Sequence, residues 1–73
     1  MVTRKDIENV WTDNTHIHVK TKSGRSAKYA FADWSRLANA TNEQRQAYTL
    51  SFFGIQWEEL DEDVSLDGML SEG

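Results

Sequence analysis

Apolar and polar positions alternate strictly over residues 16–22: Ile17, Val19 and Thr21 share one side, His16, His18, Lys20 and Lys22 the other. That is the period of a half-buried strand. Residues 25–31 alternate as well, with Ala27, Tyr29 and Phe31 on one side, and Ser23-Gly24 between the two runs marks a hairpin. A two-residue turn would set Val19 opposite Lys28 and Ile17 opposite Ala30, which mixes the faces. A three-residue loop, Lys22-Ser23-Gly24, sets Val19 opposite Ala27 and Ile17 opposite Tyr29, so both apolar sets fall on one face. That loop wants a left-handed residue at its third position, where Gly24 stands. The longer loop is therefore the predicted register.

An earlier strand, about Ile7 to Thr12, is expected to pair with residues 16–21 through Asp13-Asn14-Thr15, residue types that tolerate tight turns. Val10 and Trp11 are adjacent, so they point to opposite faces and one of them is left outside. Trp11 is then either a lid over the sheet edge or an exposed aromatic for a partner.

Downstream, Trp34 and Leu37 are three apart and suit one face of a short helical turn over 33–37. Thr41 followed by Gln44 fits a capping box opening a helix over 42–48, with Glu43 favourable in its first turn. Helices this short must rest on a sheet. Tyr48, Leu50, Phe52 and Phe53 follow and are expected to cover the core. Gly54-Ile55-Gln56-Trp57 predicts another short strand, with Ile55 and Trp57 on one face. Glu58-Glu59-Leu60-Asp61-Glu62-Asp63 then predicts an acidic loop. Ser65 can cap a last helix that carries Leu66, Met69 and Leu70. The sum is a single α+β domain over residues 1–73: an antiparallel sheet built on an N-terminal meander, with two or three short helices on one face.

Composition narrows the function. The 73 residues include no cysteine, which removes disulfides and thiolate chemistry, and no stretch apolar enough to span a membrane. Without a signal-peptide pattern the expected compartment is the cytoplasm. Charge is divided unevenly: residues 1–40 hold seven basic and four acidic residues, residues 41–73 one basic and eight acidic, for a formal net charge of −4.

Residues 53–70, Phe53-Gly54-Ile55-Gln56-Trp57 through Gly68-Met69-Leu70, resemble the C-terminal signature of a bacterial family known as domain of unknown function 2442: a strand ending in Trp, a Leu-Asp dipeptide, an acidic turn and a short helix ending in Leu. The Gly24 hairpin and the stretch from Trp34 to Thr41 fit one branch of it, so the likeness covers about residues 7–70. The resemblance implies a small α+β domain without a catalytic constellation, often a partner in toxin–antitoxin-type gene pairs. It places Trp57, Leu60, Leu66 and Leu70 at apolar positions, and Asp61 and Asp63 at polar positions that hold the turn.

Individual residues offer little chemistry. His16 and His18 project from one strand face and could share a metal, but Lys20 and Lys28 are neighbours and no third ligand is near in sequence. Asp63-x-Ser65-x-Asp67-Gly68 imitates the start of a calcium loop whose twelfth position falls beyond Gly73. No nucleophile elbow or phosphate loop is present, and no metal or cofactor is expected. Asn39-Ala40-Thr41 matches a glycosylation sequon but is expected to be an unmodified helix connection. The expectation is a non-enzymatic domain that binds a basic protein partner, such as a toxin or nuclease, in an antitoxin-like manner. Its binding residues would be Glu58, Glu59, Asp61, Glu62 and Asp63, with Gln56 or Trp11 as anchor. The alternatives are a nucleic-acid accessory module using the basic hairpin face, disfavoured by the acidic half of the chain, and a homo-oligomer paired through unblunted sheet edges.

Overall fold

A computed structural model describes residues 2–72, with side chains described through Leu70. The N-terminal meander runs β1 (Ile7–Thr12), β2 (His16–Thr21) and β3 (Ser26–Ala30), antiparallel in that order. Ile17 faces Tyr29 and Val19 faces Ala27, the register of the three-residue loop, and Gly24 takes φ +93° where that loop requires it. Val10 lies opposite Val19 and goes inside, because only that pairing adds a third apolar row to the buried face. Trp11 lies opposite His18 and goes outside.

A 3-10 turn over Phe31–Asp33 leads into α1 (Ser35–Ala38), and α2 (Asn42–Gln46) follows. The box at Thr41 is complete: the Gln44 N–H donates to the Thr41 hydroxyl at 3.1 Å, and the Thr41 N–H donates to Gln44 Oε1 at 2.9 Å. The helix ends at Gln46, two residues short of the predicted span.

The second half holds a separate sheet where an acidic loop was expected. Its strands are β4 (Thr49–Leu50), β5 (Gly54–Trp57) and β6 (Glu62–Ser65), antiparallel in that order, and α3 (Leu66–Glu72) closes the fold. Glu62 and Asp63 are therefore strand residues, held by pairing with Trp57 and Gln56. Only Glu58 to Asp61 form the connection. Asp61 turns it with φ 51°, a left-handed conformation that aspartate accepts better than most residues. Gly54 is required for a different reason: a Cβ there would stand 2.5 Å from the Val64 carbonyl oxygen.

One core joins the two sheets. Ile17 and Val19 from the meander meet Ile55, Trp57 and Val64 from the second sheet, with Phe31, Leu37, Leu66 and Met69 closing it. Each burial of such a side chain contributes about 1.5–3 kcal/mol. Polar ties reinforce this packing. The Trp57 indole N–H donates to the Arg45 carbonyl at 2.9 Å, and the Tyr48 hydroxyl donates to the Val10 carbonyl at 3.2 Å. The Arg25 guanidinium donates to the Leu70 carbonyl, fastening the first hairpin to the last helix. Among the described residues, no helix is long and apolar enough to cross a membrane.

Candidate functional site

Alternation along β5 and β6 puts Ile55, Trp57 and Val64 inside and Gln56 and Asp63 outside, directly opposite one another. The outer face continues from this pair to the β5–β6 connection. There Gln56, Trp57, Glu58, Asp61, Glu62 and Asp63 line one open depression of about 330 Å³. Five of the predicted residues thus converge: Gln56, Glu58, Asp61, Glu62 and Asp63. Among the described residues no cation lies within 4 Å of Glu58, Glu62 or Asp63; Asp61 alone has one, Arg36 Nη1 at 3.5 Å from its carboxylate. Arg36 also donates to the Asp61 carbonyl, which holds the left-handed residue in place.

Glu59 turns toward α2, where its carboxylate accepts from Gln44 Nε2 at 3.1 Å. Its position ties the acidic connection to the capping box. Asp67 lies in the first turn of α3 and accepts from the Val2 N–H at 3.1 Å, while the Ser65 hydroxyl accepts from the Gly68 N–H at 3.2 Å. The Asp63-to-Gly68 stretch that imitates a calcium loop is therefore a strand running into a capped helix.

Trp11 does not join this surface. It lies on the outer face of the first sheet with its ring flat against His18, centroids 5.1 Å apart and planes 5° from parallel. His18 Nε2 in turn meets Asp13 Oδ2 at 2.6 Å. The His18 bond, followed by backbone N–H donors from Thr15 and His16, holds the Asp13 carboxyl well below the usual carboxylate range. Across the same face Lys20 meets Glu8 at 3.6 Å. Two groups of the basic hairpin face, Lys20 and His18, thus have an acidic neighbour, which weakens the positive field that the sequence suggested. His16 binds the Thr15 hydroxyl through Nδ1 at 2.7 Å, its ring 6.0 Å from that of His18 and tilted against it. Each histidine is thus engaged by its own turn residue.

Phe52 and Phe53 were expected to cover the core, yet they are 48% and 53% exposed. With Ser51 they form the connection from β4 to β5, and their rings pack edge to face at 4.7 Å. A signal for this was present in the sequence: adjacent aromatics on an extended chain cannot both face inward, and the pair is bracketed by Ser51 and Gly54. No curated protein and no solved structure matches the chain. The model of the family described as a protein of unknown function (DUF2442) matches residues 7–73, and the chain belongs to that family.

Proposed function

We propose that the protein is a non-enzymatic interaction domain whose acidic second-sheet face docks on a basic surface of a protein partner. The observation that carries this reading is the gathering of Glu58, Glu62 and Asp63 around one depression with no cation of the described residues within 4 Å of any of them. Carboxylates left uncompensated on a folded scaffold project a field that speeds encounter with positive surfaces and disfavours negative ones. An antitoxin-like role follows naturally from such a face, since covering the nucleic-acid-binding surface of a toxin or nuclease needs no catalytic group. The first sheet offers a nucleic acid less, because Glu8 and Asp13 already occupy Lys20 and His18.

The test is association kinetics with the partner recovered from native cells. Reversing Glu58 and Glu62 to lysine should slow association by about tenfold or more at low ionic strength, with the gap closing as salt is raised. An association rate that ignores both the substitutions and the salt would reject the reading.

A further inference from the structure

The Phe52–Phe53 turn is hard to explain by folding alone. Turn tips favour Gly, Asn, Asp, Ser and Pro for backbone reasons, and none of those reasons asks for an aromatic ring. Neither phenylalanine takes a positive φ. Yet the backbone here is firmly held. The Phe52 carbonyl accepts from the Arg4 N–H at 2.7 Å, the Phe53 carbonyl accepts from the Leu66 N–H at 3.0 Å, and Ser51 N–H donates to the Gly54 carbonyl at 2.9 Å. Two half-exposed rings are thus presented on a fixed frame, so little freedom remains to be lost when something binds them. Aromatic side chains, phenylalanine among them, are enriched at protein interfaces.

The turn is continuous with the acidic face. Phe53 lines a shallow groove with Ser51, Gly54, Gln56, Asp63 and Ser65. On its other side it lines a second hollow with Val2, Ser65 and Asp67. From Gly54 the outer face runs along β5 to Glu58, roughly 13 Å at a strand rise of 3.3 Å per residue. An apolar site at one end is therefore joined through Gln56 and Asp63 to uncompensated carboxylates at the other.

We propose that Phe52 and Phe53 are the apolar anchor of this face, and that its occupant is an extended segment of a partner protein. That segment carries one large aliphatic or aromatic side chain and, about four residues along, a cluster of lysine or arginine. The spacing matches the 13 Å run, since an extended chain advances at nearly the same rate. The charge matches as well: Asp63 and Asp67 line the hollows that Phe53 borders, and Glu58 and Glu62 line the depression at the far end, beside Asp61, whose carboxylate Arg36 already meets. This inference rests on the acidic-face reading and adds to it the anchor and the form of the ligand.

The experiment titrates the full chain at low salt with three synthetic nine-residue peptides. One has a leucine followed four residues later by three lysines; one replaces the leucine by serine; one replaces the lysines by glutamates. Fluorescence anisotropy reads affinity, and amide chemical-shift mapping reads the site. The leucine–lysine peptide should bind at least tenfold more tightly than the serine peptide, with shifts at residues 51–54 and 63–65. Phe53→Ser should remove that difference, and Phe52→Ser serves if Phe53→Ser fails to fold; the serine peptide needs no variant at all. Equal binding of the leucine and serine peptides would overturn the anchor while leaving the acidic face intact. No binding of either lysine peptide would overturn both. A doubled sedimentation mass that Phe53→Ser returns to the monomer would overturn the proposed occupant in favour of a second copy of the chain.

Discussion

The two sheets of this small protein share a core but treat their outer faces in opposite ways. On the first sheet several outward groups have a neighbour in the sheet or its turn: Trp11 lies on His18, His18 is held by Asp13, and Lys20 meets Glu8. On the second sheet, the carboxylates of Glu58, Glu62 and Asp63 around the depression have no cation within 4 Å among the described residues, and two phenylalanines stand half in solvent. A face whose groups satisfy one another gains little from a partner. A face that leaves them unsatisfied is one on which a partner has work left to do.

The contrast can be broken most forcefully at Trp57. Its ring is fully buried and its indole N–H is bonded to Arg45, so Trp57→Ala should cost about 3–5 kcal/mol, seen as a large fall in the urea midpoint. A domain of this length holds roughly 4–11 kcal/mol in total, so that variant sits near the folding threshold. Trp11→Ala, on the outer face, should cost about 1–2 kcal/mol, since its ring is 41% exposed and stacks on the surface imidazole of His18. Equal losses at the two tryptophans would contradict the division into inner and outer faces.

Glycine substitutions give the next largest effect and separate the sheets again. Gly54→Ala forces a Cβ onto the Val64 carbonyl and should cost about 1–3 kcal/mol by thermal or urea unfolding. Gly24→Ala has open space around it and meets only its positive φ, for about 1–2 kcal/mol.

Acid sharpens the comparison on the first sheet. Asp13 is depressed in the folded state, so its stabilising contribution is present above the unfolded value of about 3.9 and fades as pH falls toward the folded value. Wild type should therefore lose stability between pH 4 and lower values, and Asp13→Asn should flatten that part of the curve, measured as melting temperature against pH. The smallest effect is expected at the acidic depression of the second sheet. Glu58→Lys and Glu62→Lys should leave stability within about 0.5 kcal/mol of wild type, while the association rate with a basic partner changes.

What could be read from the sequence follows the same division. The β2–β3 hairpin was legible because its period-two pattern favours one register and Gly24 stands where that register needs it, whereas the β1–β2 register stayed open between Val10 and Trp11 and is interrupted by a shift between Ile7 and Asn9. The Thr41–Gln44 box was legible because capping is local chemistry. Strand β6 was hidden: Glu62, Asp63, Val64 and Ser65 contain a single buried apolar position, and their extended form comes from pairing with β5. The two-residue β4 is hidden for the same reason. Most of the acidic site was visible as a run of carboxylates. That Glu59 leaves it for Gln44, and that Phe53 rather than Trp11 borders it, depend on tertiary direction that no local pattern encodes.

The bond from Arg25 to the Leu70 carbonyl, together with that from Val2 to Asp67, spans most of the chain's length. Contacts so distant in sequence form late, after the intervening loops have closed, and they reward only a nearly finished molecule. The last helix is therefore expected to act as a latch that sets late in folding. Releasing it, by Arg25→Ala for instance, should raise the unfolding rate while leaving the folding rate almost unchanged.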